Sequence, residues 1–399
     1  MSVQKYNFFQ QKIAIVGAGP AGSLTALKLK ERGFNNVTLI ERKRNVERKV
    51  CGEYLCPKGV ELLDTLGLLS ELCFDFNSLH GMVLCSPDND VIPSYFPTPK
   101  KNEKGLSLNR QVFDQRLLSK AIDSGVTFLN EKTLVNLVKK NQGYTLHFQD
   151  ESTFDCDMLI AADGRQSKIG HILGHIKEIN TKRAAVHCYL PRKTQRGLRL
   201  GEMHILNYES YCGLDPINDD EVNFSIVCNS ERLKHETPRQ IINKAITNSK
   251  RLSECFSPVS EEFDKEIKIV TTLRNNNTHV AGNAMAYIGD AAGFIDPLTG
   301  EGIYNALLSS QLLVESLCLS AETDHNLEKA LNRYKSKKWK VTLEKKILNH
   351  FFQLLITKPT LVKWTVQFLK TSHTRADIFI GIIGNIYNPL TGLIKMLKV

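Results

Sequence analysis

The chain reads as an α/β fold in which a Rossmann-like unit is interleaved with a β-rich layer and followed by a helical C-terminal region. Three observations predict it. An apolar strand, a glycine turn, a helix pattern and a second apolar strand succeed one another between Ile13 and Glu41. Two later buried-strand patterns, ending at Ala161 and Ile288, each run into a turn carrying an aspartate, Asp163 and Asp290. Between them, from about Lys182 to Ile269, the pattern changes to alternating strands with one helix near Pro238 to Asn248.

The first strand, Ile13-Ala14-Ile15-Val16, is short and rich in β-branched residues, with no helical period. It ends in Gly17-Ala18-Gly19-Pro20-Ala21-Gly22. A helix pattern from Ser23 to Arg32 stops at Gly33, and Val37-Thr38-Leu39-Ile40 delivers Glu41 followed by Arg42. Gly17 suits a tight turn, Gly19 lets backbone approach a pyrophosphate, and Gly22 lets the helix pack close to the sheet. The phosphates then meet free N–H groups at the positive end of the helix dipole. Glu41, nineteen residues after Gly22, can accept both ribose hydroxyls of an adenosine, and an acid there disfavours a 2′-phosphate. FAD or NAD is therefore expected over NADP.

The chain then runs through a loop, Val46 to Cys56, into a helix pattern from Lys58 to Leu72 and a strand from Gly81 to Val91 ending in a Pro-Asp-Asn-Asp turn. After the charged loop Lys100 to Lys104 comes an amphipathic helix with Val112, Phe113, Leu117, Leu118 and Ala121 on one face. Strands at 127–129, 134–138 and 144–148 lead to the apolar run Asp157 to Ala161 and the turn Ala162 to Ser167. The strand Met285 to Ile288, the turn Gly289 to Gly293, a loop from Phe294 to Gly302 and a helix from Ile303 to Leu319 close the first unit. That unit is assigned 1–75, 105–175 and 276–330, the substrate layer 76–104 and 176–275, and the helical region 331–399.

Composition sets broad limits. With 399 residues, 42% hydrophobic and 24% charged, the chain can bury a full core. The net charge of +10 accompanies no stripe of basic and aromatic residues, so no nucleic-acid partner is expected, and anionic substrates or a membrane surface account for the excess. Ten cysteines without a C-x-x-C pair or metal-ligand spacing predict a reducing, cytoplasmic compartment and no metal site. The polar N-terminus predicts no signal peptide, and no run of eighteen apolar residues predicts a spanning helix.

Three motifs stand in order: G-A-G-P-A-G at 17 to 22, A-D-G-R-Q-S at 162 to 167, and G-D-A-A-G-F-I-D-P-L-T-G-E-G at 289 to 302. Together they resemble the para-hydroxybenzoate-hydroxylase-like flavoproteins, which include the group A FAD monooxygenases, the flavin-dependent halogenases and the geranylgeranyl reductases. The resemblance implies a glutathione-reductase-type FAD domain interleaved with a sheet-based substrate domain. It places Gly17, Gly19, Pro20, Ala21, Gly22, Glu41 and Arg42 on the adenosine half of FAD and Arg110, in R-x-x-F-D, on its phosphates or ribityl chain. Asp163 and Gly164 match a pair that supports the cofactor and is linked with NAD(P)H use. Asp290 matches the acid that bonds a ribityl hydroxyl, and Pro297, Gly300 and Gly302 match the loop under the isoalloxazine. N–H donors at that helix start also suit the negative charge of reduced flavin.

The only tryptophans, Trp339 and Trp364, leave no Trp-x-Trp-x-Ile-Pro motif, which excludes the halogenase branch. Lys49-Val50-Cys51-Gly52-Glu53 resembles the K-P-C-G-G loop of the reductases. Tyr211-Cys212-Gly213-Leu214-Asp215-Pro216 keeps the Tyr and Pro of their Tyr-x-Trp-x-Phe-Pro motif and lacks its Trp and Phe. Cys51 and Tyr211 are the candidate catalytic side chains, since reduction of a C=C bond requires a proton donor. His187 and Tyr189 on one strand, and His204 and Tyr208 on the next, are expected on the pocket floor.

The C-terminal apolar runs 351–356 and 378–383 are read as a helical cap packed on the substrate domain, with contact at a membrane surface as the alternative. The sequence thus predicts an FAD-dependent oxidoreductase driven by NAD(P)H, first a monooxygenase of a hydrophobic or aromatic small molecule. The alternatives are a geranylgeranyl-reductase-like enzyme saturating C=C bonds of a prenyl or polyene substrate, and a flavin-binding protein without turnover.

Overall fold

The computed structural model describes residues 7–97, 104–179, 182–193, 199–207, 210–271, 275–294 and 300–399. Its organising element is a six-stranded sheet in the order Ala281–Gly282, Met285–Tyr287, Met158–Ala161, Lys12–Val16, Asn36–Ile40, Thr127–Leu129. Lys12–Val16 runs parallel to both Asn36–Ile40 and Met158–Ala161, which runs parallel to Met285–Tyr287. In register, Val16 lies beside Ile40 and Ala161, and Ala161 beside Tyr287. The turns after these strands therefore share one edge of the sheet, the carboxyl edge where ligands of open α/β sheets bind. Three stretches far apart in sequence meet there because their strands are neighbours.

The second layer is a seven-stranded sheet in the order Lys268–Val270, Arg183–Pro191, Glu221–Asn229, Ser210–Pro216, Leu200–Asn207, Gly81–Cys85, Val91–Tyr95. One face, with Val186, Cys188, Cys212, Leu214, Phe224 and Ile226, packs with Ile241, Ile242 and Ile246 of the helix Pro238–Asn248. The opposite face belongs to the main core, which runs on through the first unit into the C-terminal helices.

Two element boundaries differ from the sequence expectation. The pattern from Lys58 to Leu72 is two helices, Pro57–Thr65 and Leu69–Leu72, broken where Gly67 takes φ +71°. The strand expected from Gly81 to Val91 is a hairpin of Gly81–Cys85 and Val91–Tyr95, whose Pro-Asp-Asn-Asp turn holds Asn89 at φ +64°.

Four helices end the chain: Leu327–Thr357, Pro359–Lys370, His373–Ile383 and Pro389–Lys398. Phe352 and Leu355 on the first and Ile378 to Ile383 on the third are buried, as expected for a cap. Neighbours on the first of these helices, Phe351 and Leu354, stay exposed. Among the described residues no helix is long and apolar enough to cross a membrane. All ten cysteines are free and only Cys51 and Cys318 are not fully buried.

Candidate functional site

The glycine turn takes the shape its residue types predict. Gly17 has φ +107°, and a Cβ there would stand 2.4 Å from the Ala162 carbonyl oxygen. A Cβ on Gly22 would stand 1.9 Å from the Gly17 oxygen, so neither position admits a side chain. Gly19 differs: only the Lys49 Nζ comes within 4 Å, at 3.6 Å, so its missing side chain leaves room on the outer side. The helix Pro20–Glu31 starts with no side-chain cap on its N–H groups, Pro20 filling the first position. These donors and the open approach over Gly19 fit a pyrophosphate.

Glu41 closes this end. Its Oε2 accepts from the Ala18 N–H at 2.9 Å and its Oε1 from the N–H groups of Arg42 and Lys43 at 2.9 and 3.2 Å. The carboxylate is thus pinned beside the turn at the place where an adenosine ribose would lie, and Arg42 is exposed next to it.

Across the edge, Gly289 abuts the same helix start: a Cβ on it would lie 3.0 Å from the Ala21 Cβ, and Ser310 Oγ donates to the Ala21 carbonyl at 2.8 Å. Asp290 follows directly. Its carboxylate has no hydrogen-bond partner among the described residues, and burial pushes its pKa up against the pull of Arg165, Arg110, Lys338 and Lys49. A half-buried acid with unused acceptors fits a ribityl hydroxyl. The helix Gly302–Glu322 also begins without a side-chain cap, and Gly300 sits before it at φ +66° against the Tyr54 ring. Pro297 lies outside the described residues. The residues present fit the pyrophosphate, adenosine ribose and ribityl parts of FAD.

Asp163 and Gly164 stand at the same edge. Asp163 Oδ2 accepts from the Ile169 N–H at 3.0 Å while Oδ1 is buried without a partner, and Gly164 has φ +79° facing open space. Arg110 is buried and held by two bonds to Asp114 of 2.9 and 2.8 Å, with its Nη1 3.3 Å from the Cys51 sulfur. Cys51 also accepts from the Glu53 N–H at 3.3 Å, and burial pushes its thiol up although Arg110 opposes this. Cys51 is therefore a thiol under ordinary conditions, a holder of a proton and a poor nucleophile.

The loop bearing Cys51 lies over the substrate sheet. Glu53 is fully buried at φ +57°, accepting from the Arg110 N–H at 2.9 Å, from Arg48 and from Asn223. The Arg48 guanidinium stacks 3.3 Å above the Tyr189 ring. His187 and Tyr189 share this face, their rings 4.7 Å apart and edge to face. Neither ring nitrogen of His187 has a partner, and burial with the nearby Arg48 charge lowers its pKa to about 4.

His204 corrects the sequence expectation for the pocket floor. It lies on the opposite face, with Nε2 3.0 Å from Glu202, whose carboxylate also takes Arg192 and Arg251. Burial alone would raise that acid, yet His204 and Arg251 hold it at about 2. The strand carries Met203 and Ile205 toward the cavity, so even-numbered His204 must point away. Tyr208 lies outside the described residues.

Tyr211 lines an apolar cavity of about 80 Å³ between this sheet and the C-terminal helices, with Leu84, Met203, Phe352, Val366 and Phe379. Missed from the sequence were Tyr54, Asp215 and Lys338, all buried beside these turns. Asp215 had a signal: it alternates at period two with Tyr211 and Gly213 along one strand.

Comparison with known proteins agrees with the geometry. Menaquinone reductase of Mycolicibacterium smegmatis is 26% identical over 393 residues, covering 94% of this chain and 91% of the relative. Digeranylgeranylglycerophospholipid reductase 2 of Methanosphaera stadtmanae is 28% identical over 316 residues, covering 74% and 75%. Among solved structures, a flavoprotein/dehydrogenase from Cytophaga hutchinsonii superposes with a TM-score of 0.80 at 17% identity, covering 94% of this chain and 92% of that one. PqsL of P. aeruginosa, solved with 2-aminobenzoylacetate, gives 0.73 at 17% identity over 88% and 98%. These two are likenesses of fold. The model of the FAD binding domain matches residues 10–342 of the chain, which therefore belongs to that family of FAD-dependent oxidoreductases.

Proposed function

We propose that the protein is an FAD-dependent reductase that saturates carbon–carbon double bonds of an isoprenoid lipid, with NAD(P)H as the reductant. The apolar cavity carries this reading: it is lined by carbon from both the sheet and the C-terminal helices, on the sheet face turned toward the flavin turns. A lipid chain there loses no hydrogen bonds and gains burial. Relatives named as reductases of menaquinone and of digeranylgeranylglycerophospholipid favour reduction over hydroxylation.

Bound FAD supplies two-electron exchange with the substrate. The chain's own residues bind, orient and exclude water. Gly17, Gly19 and Gly22 hold the pyrophosphate, with Pro20 and Ala21 opening the helix, and Glu41 the ribose. Asp290 takes a ribityl hydroxyl. Arg110, fixed by Asp114, holds Cys51 in place, and the Cys51 sulfur keeps its proton there as a thiol.

An isoprenoid substrate also suits the outer surface of the C-terminal helices. Among the described residues, twelve of the twenty-one exposed large hydrophobics fall within the last 61 positions, among them Trp364 at 68% and Leu397 at 76% exposure. Lys358, Lys363, Lys395 and Lys398 share these segments. Apolar side chains ringed by lysines suit the surface of an anionic bilayer, and helices that touch it also line the cavity.

The test is NAD(P)H oxidation with prenylated lipid, with and without oxygen. A reductase turns over without oxygen. A hydroxylase, the second reading, stops when oxygen is removed.

A further inference from the structure

Three rows of side chains cross the flavin-facing side of the substrate sheet. The first runs Tyr189, Asn223, Asp215; the second His187, Ser225, Gly213, Met203; the third Ala185, Val227, Tyr211, Ile205. Gly213 thus stands in the middle, with Asp215 one step along its strand and Tyr211 one step the other way. No atom of the described residues lies within 4 Å of where a Gly213 Cβ would be. The sheet therefore has a notch one side chain wide. On one side it meets the apolar cavity at Tyr211 and Met203.

The other side is polar and unsatisfied. Asp215 is 7% exposed with Oδ1 unpartnered, Tyr54 is 3% exposed with its hydroxyl unpartnered, and Ser107 is 0% exposed with Oγ unpartnered. Backbone pairing gathers them: Ser107 lies opposite Tyr54 on one side and Asn77 on the other, and Asn77 donates to the Pro216 carbonyl at 3.0 Å, next to Asp215. Leaving one such buried group unpaired costs about 1–3 kcal/mol. Three on adjoining strands leave bonds for a ligand to make. The Tyr54 ring also lies against Gly300, so this end borders the flavin loop.

Resting on the reductase reading above, we infer that the notch over Gly213 seats an uncharged, oxygen-bearing ring at the head of the lipid, a prenylated quinone or phenol. Tyr54, Ser107 and Asp215 bond its oxygen, and the tail runs past Tyr211 into the apolar cavity. The step from Asp215 to Tyr211 is about 13 Å, enough for a ring and the first isoprene unit. The shape comes from this chain's own residues: Gly213 and Asp215 put no ring at either position of the strand between Tyr211 and Pro216, and the space over Gly213 stays open. An uncharged head suits the charge of the place. Burial and the Glu53 charge raise the Asp215 pKa to about 8, so near pH 7 it is an acid that donates a hydrogen bond.

The experiment titrates the FAD-loaded protein with three probes sharing one short prenyl tail: a naphthoquinone head, a phosphate head and no head. The shift of the flavin absorption bands reports binding. The quinone-headed probe is expected to bind at least about tenfold more tightly than either of the others. Gly213→Trp is expected to weaken the quinone-headed probe by about tenfold or more and leave the headless one unchanged, and Asp215→Leu to weaken it by about tenfold. Equal or tighter binding of the phosphate-headed or headless probe to the unaltered protein overturns the inference, whether or not the Gly213→Trp protein folds. If none of the three probes shifts the flavin bands, the isoprenoid reading itself fails and takes this inference with it.

Discussion

Asn223, in the middle of the substrate sheet, donates its side-chain amide to the Cys51 carbonyl at 2.7 Å and to the Glu53 carboxylate at 3.2 Å. One side chain thus ties the loop that carries Cys51 and Glu53 to the seven-stranded sheet. Asn223→Leu leaves the buried Glu53 charge short of a donor and the loop untethered. The expected result is a loss of about 2–3 kcal/mol in urea unfolding together with weaker FAD retention. Unchanged stability and flavin content would show that the tie is incidental.

The glycine turn gives a paired prediction. Gly22→Ala places a Cβ 1.9 Å from the Gly17 oxygen, so the turn cannot form and little folded, yellow protein is expected. Gly19→Ala meets only the tip of Lys49, so the fold survives while the pyrophosphate loses its approach. Thermal melting near that of the unaltered protein, with FAD affinity reduced by about tenfold or more, is the expected signature. The ratio of flavin to protein absorbance and the melting temperature separate the two outcomes.

Lys338 projects from the helix Leu327–Thr357 into the interior near Asp290, and burial with the Lys345 charge lowers its pKa to about 8. A lysine whose proton is held less tightly when folded weakens the fold while it is charged. Stability of the flavin-free protein should therefore rise with pH from about 8 toward 10, and Lys338→Met should remove that slope. At pH 7 the substitution should raise unfolding free energy by up to about 3 kcal/mol. In the FAD-loaded protein the same change should make the flavin harder to reduce, since a positive charge near the ribityl side is lost. Denaturation at several pH values and a redox titration check both.

Membrane contact is tested by flotation with anionic vesicles. The unaltered protein should float at low salt and less so at high salt. Trp364→Asp with Leu397→Asp should cut the bound fraction by about tenfold, because each buried large side chain contributes about 1.5–3 kcal/mol. Failure of the unaltered protein to float at any salt concentration would contradict the contact.

Much of the cofactor end was legible in the sequence, for a physical reason. Gly17 and Gly22 are required locally, by backbone approaches that leave no room for a Cβ, so the requirement is written at the position itself. The substrate end was less legible. His187 and His204 have the same residue type and the same strand pattern, yet they face opposite ways, and only the pairing of strands decides which face meets the flavin. Tyr54, Ser107 and Asp215 come from three strands of two sheets, so their meeting is a property of the assembled layers. The break at Gly67 turns on one left-handed residue, which ends a helix while apolar residues continue on both sides, and the strand that returns after Asn89 is only five residues long.

The most direct measurement is the mass of the lipid tail, read on a fragment after the quinone head has been reoxidised, once chemically reduced, FAD-loaded protein has met a prenylated naphthoquinone in the absence of oxygen. The account predicts a tail that has gained one pair of hydrogen atoms while the flavin returns to its oxidised spectrum. A lipid recovered unchanged without oxygen, and carrying an added oxygen atom once air is admitted, would contradict it.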